Sequence, residues 1–539
     1  MRALLPILFV SSSLSVLGLA AACGSSPTSN NSSASGTDAS PMPESGSGSS
    51  SGGESDGSSP HDAGTSDAPG DGGACPAVGS GSFSPAAHAP LPTMAWYGGP
   101  VLPSPLVVTF TFQDTPNATA LDSFGAGIAS SSWFTEVTKD YCIPDGGTCI
   151  SAGPPGKAVP IAANADATYV DTGGIAGVDG GAGTNLNQFV NQQIAAAVTA
   201  GTIPAPDGNA VYMFYFPPTT TITGIVGTSC NDYGAYHDNQ VYSDGTTTIA
   251  YAVVPDCASG SPNELNSVTV SASHELAEAT TDPTPSSTTP AWYLDVSSYP
   301  DGGTTQAEYR NDPWMTQTYG EVGDNCESVH ARTLSLMGDA GPFVQRIWST
   351  SAAAGGHDPC VPTPAALGPY FNASTDKAIY VANVGDTFTV DVSPFSDAQR
   401  ASWQLDALDY TPGQYAGMDH YLKFEFVGGE TRSDGVAAMT CVNNGAHVQL
   451  KVTLLADPAT DTSLQQPSEE WPEAVGGVSS VDESQQVPVV PTRQANSHFW
   501  VFSVVTPATA AMIGVPTTGI SGMVRHRHHA PRPQLTLER

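Results

Sequence analysis

Three apolar runs punctuate the first half of the chain: "LVVTFTF" at 106–112, "AVYMFYF" at 210–216 and "TIAYAVVP" at 248–255. Each is short and bounded by turn residues, which predicts a buried strand. Between them the spacing of apolar positions changes from continuous to helical. In "TNLNQFVNQQIAAAVTAGTIP", Leu186, Phe189, Val190, Ile194 and Val198 fall on one helical face. Thr184 or Asn185 can cap that helix, and Gly201 and Pro204 stop it. Residues near 120–139 also read as helix. A further helix carries Leu265, Val268, Ala272, Leu276 and Ala279 on one side. Ser261-Pro262-Asn263-Glu264 before it has a capping-box arrangement with proline at the first helical position, and the helix is expected to end near Asp282-Pro283. Helices alternating with apolar strands predict an α/β or α+β layer.

After about residue 365 the pattern shortens. "KAIYVANVGDTFTVDVSPF", "HYLKFEFVGG", "HVQLKVTLLA" and "HFWVFSVVTP" are alternating or apolar runs separated by turn residues. They predict a separate β-sandwich over 365–523. Residues 24–74 are Ser, Gly, Asp and Pro with almost nothing apolar, and read as a flexible acidic tether. The end of the chain, 524–539, is basic and polar. His526, His528 and His529 in it are read as a solvated tail in preference to a metal site. The expected organisation is therefore a leader over 1–23, the tether, a first domain over 75–362, the sandwich and the tail.

Charge narrows the partners. The 539 residues carry 51 acidic and 16 basic side chains, a formal net charge of −35. Such a surface repels phosphate backbones, so nucleic acid is excluded as a partner. Arg2 followed by "ALLPILFVSSSLSVLGLAAAC" reads as a signal peptide. Its end resembles a bacterial lipoprotein cleavage site, with Ala20 where leucine is usual. Cys23 would then be lipidated, and Gly24 after it is compatible with outer-membrane sorting. Plain secretion is the alternative. Membrane contact is expected only through that anchor.

Nine cysteines suit an exported chain, since removing Cys23 leaves an even eight. Cys142 with Cys149, Cys230 with Cys257, and Cys326 with Cys360 are plausible pairs. Cys75 and Cys441 are then left to each other, although sequence alone does not fix connectivity.

The candidate chemistry sits in "SASHELAEATTDP", 271–283. At about 100° per residue, His274 and Glu278 lie on one side of a helix, one turn apart, and can both reach a divalent ion. Glu275 is offset beside them. In metallopeptidases with His-Glu-x-x-His, the glutamate in that place activates the attacking water. Here Glu278 replaces the second histidine, which makes the site more anionic. Glu321 or Asp324, in "YGEVGDNCES", can complete the coordination. His237, in "NDYGAYHDN", is a further ligand or a transition-state partner. Asp282 lies two turns on and could help only if the chain curls back. Taken singly, each loop acid is more often a turn or cap residue. Zinc is the expected ion; calcium is less suited to a nitrogen ligand.

Residues from about 92 to 362 resemble the phosphate-induced protein family, also called EXORDIUM-like. The resemblance rests on "WYGGPVL", "LNQFVNQQIAAAVTAGTIPAPDGNAVYMFY", "SCNDYGAYHDN", "YAVVPDC", "SASHELAEATTDP", "GEVGDNCES" and "FVQRIWS". The family pairs a His-Glu-Leu-Ala-Glu helix with a downstream Glu-x-Gly-Asp-x-Cys loop. His274, Glu275, Glu278, Glu321, Asp324 and Cys326 fall on those positions, and His237 matches a histidine after the family's earlier cysteine. Plant members have Asn-Pro where this chain has Asp282-Pro283. The resemblance implies an extracellular protein linked to growth and cell-wall responses, without a defined activity. The expected fold is thus an α/β (α+β), zincin-like metallohydrolase domain followed by a β-sandwich. Two functions fit. One is a zinc peptidase acting on peptide, protein or cell-wall material. The other is a non-catalytic surface protein with a structural metal site and a binding sandwich.

Overall fold

The computed structural model describes residues 75, 82–144, 146–172, 183–224, 227–231, 233–285, 289–295, 320–327, 333–335, 342–411, 420–431, 436–460, 473–489 and 493–512. Cys23, the 24–74 tract and the 524–539 tail with its three histidines lie outside them. The chain is a mixed α/β protein rich in strands.

The first half is built on a five-stranded sheet. Its strands are β1 (Leu106–Phe112), β2 (Lys157–Ile161), β3 (Ala210–Phe216), β4 (Tyr236–Val241) and β5 (Thr248–Pro255). Their spatial order is β2-β1-β3-β5-β4. The first four are mutually parallel and the edge strand β4 is antiparallel to β5. Alternate side chains serve two cores. Val107, Val211, Met213, Tyr215, Ala250, Ala252 and Val254 face helices α1 (Ala118–Ile128), α2 (Ser132–Thr138) and α4 (Glu264–Thr281). Val108, Phe110, Phe112, Tyr212, Phe214, Tyr251 and Val253 face α3 (Leu186–Thr199). Burial on both faces is why these strands read as unbroken apolar runs.

Helix limits follow local capping. The 120–139 segment forms two helices, because Ser131 is extended and its side chain accepts the Phe134 N–H at 3.1 Å, restarting the helix. Asn185 caps α3 by accepting the Gln188 N–H at 2.9 Å. Helix α4 begins at Glu264, later than the proline predicts. Pro262 sits in the preceding turn, and the Glu264 carboxylate reaches back to the Gly260 N–H at 3.0 Å.

All four cysteine pairs form: Cys142–Cys149, Cys230–Cys257, Cys326–Cys360 and Cys75–Cys441. The last joins positions 366 residues apart. Residues 84–89 follow the same path: the His88 ring stacks on Phe395, and the Ala89 N–H donates to Ser374. This stretch, placed by the sequence in the first domain, therefore packs on the strands that follow it. Four disulfides are consistent with an exported protein. Among the described residues no helix is long and apolar enough to cross a membrane.

Beyond residue 370 the described strands form two sheets. One has four strands, among them Phe371–Thr375 and Thr387–Ser396. The other has six, among them Trp403–Asp409, Ala474–Pro488 and Arg493–Val505. Val390, Val392 and Leu450 from the first meet Leu405, Val478 and Phe502 from the second in one core. His498 is buried here, edge-on to Tyr370 and Phe371. Burial, then Arg346 and Arg400, holds its imidazole well below the ordinary value. The unfolded chain therefore takes up this proton first. The stability involved is present above about pH 6.5 and is lost as pH falls toward the folded value. Thermal melts of wild type and His498→Phe should diverge in slope below that point, wild type losing more; parallel profiles from pH 7.5 to 5 would contradict this.

Candidate metal centre

The sheet decides where His237 points. It pairs with Ala252 across β4 and β5, so both face α4, whereas neighbouring Tyr236 faces α3. Helix α4 is buried on every side from Ala272 to Thr281, so His274, Glu275 and Glu278 project into protein. The loop 320–327 closes over them. Val322 enters the core, the Trp348 N–H donates to the Val322 carbonyl at 2.9 Å, and Cys326 is tied to Cys360. Gly323 makes the approach possible. A Cβ there would lie 2.7 Å from Glu278 Oε1 and 2.8 Å from the His274 ring.

The donors converge as two groups that share Glu278. His274 Nε2 lies 2.9 Å from Glu278 Oε1 and 3.6 Å from Asp324 Oδ1. His237 Nδ1 lies 3.5 Å from Glu278 Oε2 and 3.9 Å from Glu321 Oε2. Glu275 Oε2 flanks the second group, 3.4 Å from His237 Nδ1. Tetrahedral ligands about 2.0–2.2 Å from a zinc ion stand roughly 3.3–3.6 Å apart. The observed separations bracket that spacing, so the residues fit a divalent cation. The loop acids thus do not serve one histidine interchangeably: Asp324 joins His274, and Glu321 joins His237. Asp282 contributes its backbone carbonyl, which accepts from His237 Nε2 at 3.2 Å.

Both imidazoles are oriented from behind, as metal ligands are. His274 Nδ1 donates to Gln345 Oε1 at 3.0 Å, and Gln345 Nε2 donates to the Gly323 carbonyl at 2.7 Å. Glu278 Oε1 also accepts the N–H groups of Gly323 and Asp324 at 3.1 and 3.2 Å. Sequence reasoning passed over Gln345 and Gly323, although "FVQRIWS" and "GEVGDNCES" contain them. A side chain that positions another carries no signature of its own.

The site is also strongly acidic. Glu275, Glu278, Asp282, Glu321 and Asp324 are each at most 2% exposed. Buried carboxylates without counter-charge are costly. Burial, then the Glu278 charge, raises both Glu321 and Asp324. Burial raises Asp282 to about 6. Burial alone would lower the two histidines, but Glu321 beside His237 and Glu278 beside His274 hold both well above the ordinary imidazole value. Burial would likewise raise Glu278, yet His274 and His237 hold it low.

No protein-family profile matches the chain, and no curated protein matches it. Among solved structures, the human F-spondin reeler domain is similar at 12% identity, over 25% of this chain and 88% of that one, with a TM-score of 0.17. At that score the likeness assigns neither fold nor activity. The geometry of the site itself is that of buried His, Glu and Asp groups able to bind a metal ion.

Proposed function

We propose that the protein is an exported metal-dependent hydrolase, a zincin-like peptidase followed by a β-sandwich, akin to the EXORDIUM-like proteins over about 92–362. The observation that carries this reading is His274 Nε2, fixed by Gln345 and aimed at Glu278 and Asp324. Glu275 follows His274 on the same helix, with its Oε2 3.4 Å from His237 Nδ1. The quoted motifs "HELAE" and "GEVGDNC", far apart in the chain, supply these groups, which supports the family reading.

In this reading His274, Glu278 and Asp324 would hold a zinc ion, which would supply polarisation of a substrate carbonyl and stabilisation of the charge developing on its oxygen. Glu275 takes the proton from the attacking water and returns it to the leaving amine. Gln345 keeps the His274 nitrogen aimed, and the Gly323 and Asp324 N–H groups keep Glu278 from swinging. Lipid attachment through Cys23 would place this activity at the cell surface.

The near-complete burial of the same residues favours a second reading, a structural ion that locks α4 to the 320–327 loop. The two separate in one experiment. The zinc-loaded full chain is incubated with a quenched-fluorescence peptide library, with and without chelator. Cleavage that stops on chelation and returns with Zn²⁺ is expected. A chain that binds zinc and melts lower on chelation, but cleaves nothing, would leave only the structural reading.

A further inference from the structure

We propose that the protein holds a second divalent cation, bound by His237, Glu278 and Glu321, so that the Glu278 carboxylate bridges two ions. This rests on the metal reading above and extends it from a mononuclear to a binuclear centre.

The observation that carries it is a set of buried atoms with nothing to bond to except one another. His237 Nδ1, Glu278 Oε2 and both carboxylate oxygens of Glu321 are buried without a hydrogen-bond partner. All lie on side chains at most 1% exposed. One ligand atom from each of His237, Glu278 and Glu321 lies within 4.8 Å of the other two. Native interiors rarely leave such groups unmet, because each then loses its hydration with nothing in return.

The tautomer strengthens the case. His237 Nε2 faces the Asp282 carbonyl, which can only accept, so Nε2 carries a proton. In the neutral ring Nδ1 is then a lone pair, and it faces the oxygens of Glu275, Glu278 and Glu321. A lone pair among carboxylates repels unless a proton or a metal cation stands between them, and a divalent ion brings twice the charge of a proton. His274 repeats the pattern on the other side, with Nδ1 on Gln345 and Nε2 toward Glu278 and Asp324. Two histidines are thus held from behind, each aimed at a different oxygen of one carboxylate.

Charge points the same way. Glu275, Glu278, Asp282, Glu321 and Asp324 are five buried carboxyl groups. Two divalent ions offset four negative charges among them when ionised, and a single ion offsets two. The mixed imidazole and carboxylate donors suit borderline first-row ions such as Zn²⁺. Other bridged two-metal sites separate their ions by about 3.5–4 Å, a span that the two oxygens of one carboxylate can serve.

The test uses the full chain, stripped with chelator, reloaded with Zn²⁺ alone and freed of excess. Elemental analysis should find two zinc ions per chain in wild type. One should remain in His237→Ala and in Glu321→Gln, and one in His274→Ala. A triple His526→Ala, His528→Ala, His529→Ala variant should keep both, which removes the tail as a source. Because a variant could misfold, wild type is also examined by X-ray absorption, where a zinc–zinc vector of about 3.5–4 Å is expected. One ion per chain without that vector overturns the second site and leaves the first. Two ions unaffected by His237→Ala also overturn it. No bound zinc in any sample removes both.

Discussion

Glu275→Gln is expected to lower turnover about 10²- to 10⁴-fold, the usual worth of a general base, with zinc content unchanged. The substitution keeps the volume of a side chain that is fully buried against His237. Packing around α4 is therefore preserved, and Glu275 belongs to neither ligand group. What is removed is the capacity to accept a proton. The measurement pairs single-turnover peptide cleavage with elemental analysis of the same sample. Full cleavage by the variant would falsify the role given to Glu275. Lost cleavage together with lost zinc would reassign it as a ligand.

Removal of metal should lower the melting temperature, and by more at higher pH. At a thousandfold excess over Kd a bound ligand contributes about 4 kcal/mol, on the order of 10 °C for a domain of this size. The pH dependence follows from proton competition. In the metal-free chain Glu321, Asp324, His237 and His274 all bind protons more tightly when folded. Their contribution is complete below the unfolded values, about 4 for the carboxyls and 6.5 for the imidazoles, and is lost as pH rises through the folded ones. Glu278, held low, acts oppositely but only in stronger acid. Metal binding displaces those protons, so affinity grows as pH rises. Melts of zinc-loaded and chelated chain at pH 5.5 and 8 should show a gap that widens. A constant gap would mean that these four groups do not hold the ion.

Much of the scaffold was legible beforehand because it depends on neighbours in sequence. Continuous apolar runs at 106–112, 210–216 and 248–255 are strands wherever both faces are covered, and they are strands here. The spacing of Leu186, Val190 and Ile194 specifies one buried helical face in any surrounding, as α3 shows. The His274–Glu278 pair was readable for the same reason, since four residues on a helix is a local distance. Local competition was harder to see. Ser131 splits one expected helix into two, and Pro262 stays outside α4.

What tertiary structure alone decided is the partnership of groups distant in the chain. No local rule assigns Asp324 to His274 and Glu321 to His237; that follows from where a disulfide-tied loop crosses α4 and from which face of β4 meets it. Nor could spacing show that the acids of α4 lie inside the protein, because burial is set by what packs on a helix from elsewhere. By itself, the order of residues determined the three central apolar strands, the helices and the candidate donors; the outer strands Lys157–Ile161 and Tyr236–Val241 are less apolar and take their place by pairing with those strands. Their meeting around the two oxygens of Glu278 required long-range packing, since only a closed core can force like charges to within a few ångströms of one another.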